Sequence, residues 1–436
     1  MKINLKIKNV FLIDIVNAFT GISLLTLTKI LTGIIVLKIT AIIIGPSGVA
    51  LLSQLNNFSS VIILFANGGI LLGVTKYISE NVNNDSRIKS LISTAFRITV
   101  LCSIVTSVVL LLFHNVLSRY ILHSEEYWYV FVVFGCCLIL YALNNLLMNI
   151  LNGYRDIKQY VFISIFGNIL SLIFTLSLLY FKQLNGAIIS VVTSQSVIFF
   201  ITIYLLRKQT WFSWIYFKNE VYFKDCHLYF KYTIMTLSPV IISSTAPIII
   251  RNFIISNISI VEAGYWDAMN RISNVYLSLF ISFFSIYYLP KFSFIDKTYI
   301  RHEFVSYCKL FVPATIFIFM IIYFFRFAII KLLFSSEFIF VEKMFMWQLL
   351  GDFFRIIGFF MVYLALAKAK MYLFVIMDLV FSFVLIVLSC YFVFYYKSII
   401  GVSQAYLLTY MLHCFCFIFV FRKMLVLKKD IYDKSK

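Results

Sequence analysis

Charged side chains set inside long apolar runs are the first chemistry this chain offers. Lys29, Arg251, Asp267, Arg271, Asp352, Arg355 and Asp378 all fall in stretches otherwise dominated by Ile, Leu, Phe and Val. A charge at the centre of a bilayer costs about 2.5–3.5 kcal/mol on insertion scales, so each needs a partner, water or a ligand. Cations gathered around one space suit an anion, and the planar fork of arginine suits phosphate in particular. A membrane carboxylate suits a coupling ion, which makes Asp352 and Asp378 the candidates for that role. Each residue also has a plainer reading. Arg251 suits an interfacial anchor, and Asp352 and Arg355, three apart on one helix face, suit a mutual pair. Lys29 lies mid-span, where snorkelling to water is difficult.

Neutral polar residues extend the pattern as stripes. Asp14, Asn17, Gly21, Thr28 and Thr32 share one face of the first apolar run, with Lys29 beside it. Ser53, Asn57, Ser60 and Asn67 follow helical spacing in the second. Asp267, Arg271, Asn274, Ser278, Ser282 and Ser285 do so in the eighth. Residues three and four apart share a helix face. Such stripes serve either a hydrophilic central cavity between two six-helix halves or hydrogen bonding between packed helices. On the cavity reading the substrate-binding candidates are Lys29, Asn57, Asn67, Arg251, Asp267, Arg271, Asp352 and Arg355.

Other chemistries lack their residues. There is no G-x-S-x-G, Walker-A sequence or suitably placed G-x-G-x-x-G. The 8 Cys include no C-x-x-C, and the 5 His include no H-E-x-x-H. No catalytic residue, metal site or cofactor is expected, and a carrier without an ATP site must draw on a gradient or equilibrate its substrate.

The elements that must hold these residues are membrane helices. Of the 436 residues, 62% are hydrophobic and 13% charged, against about 25% charged in soluble domains. Twelve segments are long enough to span a bilayer, at about 20 residues each: 11–43, 46–74, 88–113, 127–151, 158–181, 184–206, 228–255, 263–290, 302–325, 338–367, 371–395 and 399–421. This predicts an all-α integral membrane protein with a six-helix lobe over 1–206, a cytoplasmic linker over 207–227 and a second six-helix lobe with a basic tail over 228–436. The net charge of +19 does not indicate nucleic acid, because it is gathered in alternate loops. Lys2, Lys6, Lys8, Arg87, Lys89, Arg155, Lys158, Arg207, Lys208, Lys218, Lys224, Lys291, Lys297, Arg301, Lys368, Lys370, Arg422 and Lys423 lie on one side. The positive-inside rule makes that side, and both termini, cytoplasmic. The basic, apolar N-terminus is too long for a signal peptide and reads as an uncleaved first span.

The halves look like a duplication. Gly48-Val49-Ala50-Leu51 opens the second span and Gly264-Tyr265-Trp266-Asp267 opens the eighth, 216 residues later. Thr75-Lys76-Tyr77 and Pro290-Lys291-Phe292, at comparable boundaries, are 215 apart. With an even number of spans in each half, the repeat is parallel.

Several segments, in order along nearly the whole chain, resemble the Wzx-type O-antigen flippases of the multidrug/oligosaccharidyl-lipid/polysaccharide exporter superfamily. They are Gly-Pro-Ser-Gly at 45–48, Gly73-Val74-Thr75-Lys76-Tyr77, Gly153-Tyr154-Arg155-Asp156, Gly264-Tyr265-Trp266, Tyr288-Leu289-Pro290, Trp347-Gln348-Leu349-Leu350-Gly351-Asp352, Ala367-Lys368-Ala369 and Gln404-Ala405-Tyr406. The branch that includes the enterobacterial common antigen flippase is the most similar. The resemblance implies two pseudo-symmetric six-helix lobes around a central cavity. It implies translocation of an undecaprenyl-diphosphate-linked oligosaccharide across the bacterial inner membrane, among membrane lipids, with an O-antigen polymerase and a chain-length regulator as working partners. It also implies Lys29, Arg251 and Asp352 as cavity residues, and argues against ion coupling at Asp267, where relatives often carry a neutral amide. The alternatives are a drug/cation antiporter of the same superfamily, which would favour a carboxylate-lined cavity, and a membrane-embedded polymerase, which would need a large outer loop. The longest outer loop here, about 114–127, is short.

Overall fold

In hydrocarbon every backbone polar group must find its partner within the chain, so apolar runs of this length become helices. The computed structural model describes residues 2–207, 209, 211–213, 216–217, 223–288, 291–292, 299–368 and 371–422, and these are almost all helical. Asp14 and Asn17 of the first stripe, Pro239, Leu289, Pro290, Ala369, the basic residues Lys2, Lys6, Lys8, Lys208, Lys218, Lys224, Lys297 and Lys370, and the tail from Lys423 lie outside the described residues or side chains.

The helices are α1 (Lys2–Ala66), α2 (Leu71–Glu80), α3 (Asp85–Leu112), α4 (His114–Ile121), α5 (Trp128–Gly153), α6 (Ile157–Leu206), α7 (Phe223–Asn257), α8 (Ile260–Phe283), α9 (Ile300–Phe324), α10 (Arg326–Leu333), α11 (Phe345–Ala367), α12 (Met371–Tyr396) and α13 (Ile400–Val420). Among the described residues, 9 stretches are long and apolar enough to cross a bilayer. Two of these, Ser23–Ala66 and Ile157–Leu206, run for 44 and 50 residues, too long for one crossing. Each is broken by a residue of positive φ, Gly45 (62°) in α1 and Gln183 (46°) in α6. Helix α8 is 24 residues long, enough for a crossing, but Glu262, Asp267 and Arg271 keep it out of those nine. Counting each broken helix as two and adding α8 gives the twelve crossings expected.

The chain forms two compact units, Met1–Ile44 with Leu51–Ser244, and Gly45–Ala50 with Thr245–Lys436. Both units repeat one order of elements. In the first, a long helix (α3) leads to a short helix (α4), a 3₁₀ turn (Glu125–Tyr127), a long helix (α5) and a final pair broken at Gln183. In the second, α9, α10, a 3₁₀ segment (Ser336–Met344), α11 and the pair α12–α13 follow in the same sequence, with Lys397 (φ 49°) at the corresponding break.

One expected span is interrupted. The segment 46–74 stops as a helix at Ala66 and resumes at Leu71. Gly68 and Gly69 take φ of 63° and 66°, a region that costs other residues clashes at Cβ. The carbonyls freed by the turn are claimed by α7, where the Thr233 and Thr236 hydroxyls donate to Gly68 O and Gly69 O, each at 2.7 Å. Such a break inside an apolar run survives only because neighbouring hydroxyls satisfy it. In the second unit, α8 ends in a π turn at Phe284–Tyr288, a milder departure from α geometry.

The linker is fastened to the first unit. Trp211 stacks on Tyr154 at 5.4 Å, Ser93 Oγ donates to Phe217 O, and Tyr216 donates to Asp85. Beside it, fully buried Asp225 pairs with Arg87 at 2.6 Å and accepts from Ser90 Oγ at 2.5 Å.

Candidate functional site

Two charge clusters inside the second unit take up most of the predicted ionic residues. The first begins at the tight turn between α7 and α8, where Ser259 Oγ caps α8 by accepting from Glu262 N. The turn lays Arg251 against Asp267. Arg251 Nε donates to Asp267 Oδ2 at 2.7 Å and Nη2 to Oδ1 at 2.6 Å, the paired geometry that makes arginine–carboxylate bridges strong. Both residues are buried, and the guanidinium also lies 5.6 Å from the Trp266 ring. Arg251 is therefore an enclosed, neutralised cation rather than an interfacial anchor. Gly264 opens the room for this corner, since a Cβ there would sit 2.0 Å from Pro46 O. Two of the motif segments, Gly-Pro-Ser-Gly and Gly264-Tyr265-Trp266, meet at that contact.

The second cluster joins three helices around Asp352, which is fully buried. Ser273 Oγ and Tyr276 OH of α8 donate to Oδ2, the former at 2.6 Å, and Tyr406 OH of α13 donates to Oδ1 at 2.6 Å. A carboxylate holding three hydroxyl donors is satisfied without a direct cation. The expected Asp352–Arg355 pair is accordingly replaced by a bridge, because the Tyr406 hydroxyl also accepts from Arg355 Nη1 at 2.9 Å. The Arg355 guanidinium lies over the Tyr410 ring at 4.8 Å. Gly351 permits this arrangement. A Cβ at that position would meet the Tyr406 ring at 2.5 Å. The Trp347–Asp352 and Gln404–Tyr406 motifs thus build one site between them.

The remaining candidates keep surface. Arg271 is half-buried one turn beyond Asp267, and Arg355 and Asp378 are half-buried. Along α8 the stripe passes from buried Asp267 to exposed Asn274, Ser282 and Ser285. An exposed polar face on a membrane helix faces water or other polar groups in preference to lipid. In the first unit Lys29 is exposed. Exposed Leu27 and Leu31 lie about 200° around the helix from it, at 100° per residue, so the lysine stands on the face opposite a leucine stripe. Thr28 and Thr32 return their hydroxyls to Leu24 O and Thr28 O of their own helix. Asn57 is half-buried, and buried Asn67 donates to Ile63 O at 2.9 Å at the edge of the Gly68–Gly69 turn.

Sequence reasoning missed Tyr276, and it marked Tyr406 only as part of a motif, because a tyrosine in an apolar run carries no signal of what its hydroxyl touches. It also passed over Arg97 and Lys309, both exposed within α3 and α9, which the rule that singled out Lys29 would have found. Outside the membrane, the hydrogen bond from Tyr216 to Asp85 holds the phenol up at about 12.

A family model described as polysaccharide biosynthesis protein matches residues 17–296. Among characterised relatives, the Lipid III flippase of Escherichia coli (strain K12) is 25% identical over 370 residues, covering 85% of this chain and 89% of that one. The fold is shared with solved transporters. An inward-facing multidrug resistance MATE family transporter of the MOP superfamily superposes with a TM-score of 0.78 at 12% identity, covering 94% of this chain and 98% of that chain. The lipid II flippase MurJ in an inward closed conformation superposes with a TM-score of 0.70 at 17% identity, covering 92% and 87%.

Proposed function

We propose, from the premise that this chain belongs to the polysaccharide biosynthesis protein family, that it is a transporter and not an enzyme. It is a flippase that carries undecaprenyl-diphosphate-linked O-antigen repeat units from the cytoplasmic to the periplasmic leaflet of the bacterial inner membrane. The observation that carries this reading is the similarity to the Lipid III flippase along most of both chains.

The residues supply suitable chemistry. A sugar-diphosphate head must leave water to cross, and cations with accessible surface offset that cost. In the second unit Arg271 and Arg355 are the candidate ligands for the diphosphate, with the exposed serines of α8 for sugar hydroxyls; in the first unit the candidates are Lys29 and Asn57, each taken by itself. Arg251, Asp267, Asp352 and Asn67 are enclosed and act as supports. The head enters from the cytoplasmic side while the polyprenyl tail stays in lipid, and access then alternates to the periplasm. Half-buried Asp378 is the candidate for a coupling proton. The gathering of basic residues in alternate loops supports cytoplasmic termini, and an O-antigen polymerase and chain-length regulator act on the product.

Deleting the gene and following the repeat unit tests this. Loss of surface polymer with complete units held on the cytoplasmic leaflet is the expected result. Wild type restores polymer, whereas Lys29→Ala, at an exposed position without a buried side-chain partner among the described residues, lowers it at least tenfold with an unchanged melting temperature. The shared fold with a multidrug transporter makes drug export the second reading. Normal polymer combined with raised drug sensitivity would decide for it.

A further inference from the structure

The third and fourth long helices of each unit run side by side, and the two units treat that seam in opposite ways. In the first unit α3 lies hard against α5. A Cβ on Gly135 would be 3.1 Å from Leu111 and 3.3 Å from Ser107 O. Counted back from the helix ends, Gly135 of α5 takes the place of Leu349 in α11, and Ser107 and Leu111 of α3 take the places of Phe319 and Tyr323 in α9. Three larger residues therefore meet where the first unit has Gly, Ser and Leu. The helices stand apart there, leaving an open groove of 530 Å³.

The walls of this groove are Ile316, Phe319 and Met320 on one side and Leu349, Leu350 and Phe353 on the other. Several of these side chains are exposed, Met320 at 68%. At its end stands Arg326, the first residue of α10. The guanidinium carbon lies 4.4 and 4.6 Å from the ring centres of Tyr323 and Phe327. Its Nη1 donates to Tyr323 O at 2.9 Å, and Nε is ion-paired with Glu342 at 3.6 Å, longer than a hydrogen bond. Among the described residues Nη2 has no hydrogen-bond acceptor. A hydrocarbon slot with a fixed guanidinium edge at one end matches an amphiphile with an alkyl chain and a phosphate.

We infer that the α9–α11 groove holds one chain of an anionic membrane phospholipid, with its headgroup phosphate on Arg326. The lipid completes the seam that Gly135 closes by direct contact in the first unit. This does not depend on the transport reading, because a resident lipid serves any membrane protein of this fold.

Native mass spectrometry of the full chain, released from detergent and titrated with palmitoyl-oleoyl-phosphatidylglycerol or the matching phosphatidylcholine, is the test. One phosphatidylglycerol retained with about fivefold preference over phosphatidylcholine is expected, the scale of one cation near a lipid surface. Arg326→Gln should erase the preference while chain binding persists. Met320→Trp, at an exposed position, should fill the groove and abolish retention of both lipids; Leu350→Trp repeats the test should the first variant not fold. Equal retention of the two lipids by wild type, or undiminished phosphatidylglycerol on a folded groove-filling variant, overturns the assignment. So does displacement of phosphatidylglycerol by equimolar undecaprenyl phosphate, which would make the groove a seat for polyprenyl chains.

Discussion

The two units build one order of helices with different interiors. Counted from the helix ends, Asp352 and Tyr406 of the second unit stand where the first has Leu138 and Val192, both fully buried. The first unit ties α5 to α6 with neutral groups instead. Thr202 Oγ1 donates to Asn144 Oδ1 at 2.7 Å, Asn144 Nδ2 donates to Gln195 at 3.1 Å, and Ser196 Oγ donates to Cys137 O at 2.8 Å. The second unit uses ionised groups for the same joins. A duplicated scaffold thus accommodates either solution at these joins, where the groups named above find partners. What differs is the cost of an error, because an abandoned charge costs far more than an abandoned hydroxyl.

That difference ranks the experiments. The largest effect is expected at Asp267. Asp267→Ala strands Arg251 and should cost about 3–5 kcal/mol in detergent unfolding. The double replacement Arg251→Met with Asp267→Leu should recover most of the loss. Equal losses for the single and double variants would show that the pair is not a unit. Next comes Tyr406→Phe, which removes one charge-assisted bond from Asp352 and frees Arg355, at about 1.5–3 kcal/mol. The corresponding test in the first unit, Thr202→Val, should cost about 0.5–1.5 kcal/mol. A reversal of that order would overturn the contrast between the units.

The seams give a third test. Gly135→Leu overpacks a closed contact and should cost about 1–3 kcal/mol, whereas Met320→Trp adds bulk to an open groove and should be near neutral. The smallest effect is expected at the linker. The bond to Asp85 raises Tyr216 from the usual 10 to about 12. A raised pKa means that its stabilisation is complete below pH 10 and is lost as pH climbs to 12. Ultraviolet titration of the phenol should shift back towards 10 in Asp85→Asn.

The helical plan was legible because it rests on length and hydropathy, which the bilayer reads locally. Even the charged eighth span, 263–290, was placed among the apolar segments. The break at Gly68–Gly69 was not, for its stability comes from Thr233 and Thr236, some 165 residues away along the chain. Among the site candidates, residue type marks the ionic positions but not which partner each one meets. Arg251 and Arg355 look alike as arginines in apolar runs. Asp267 encloses one, and the other rests on Tyr406 and Tyr410 with surface to spare.

By itself the sequence determined the membrane class, the number of crossings, the duplicated order and which positions carry charge. Each of these depends on single residues or short runs meeting lipid or water. The tertiary structure decided which charges neutralise one another, which glycines admit a neighbouring helix, and where two helices part. Those outcomes depend on which side chains distant segments bring within about 3 Å, the range over which hydrogen bonds form and steric contact decides.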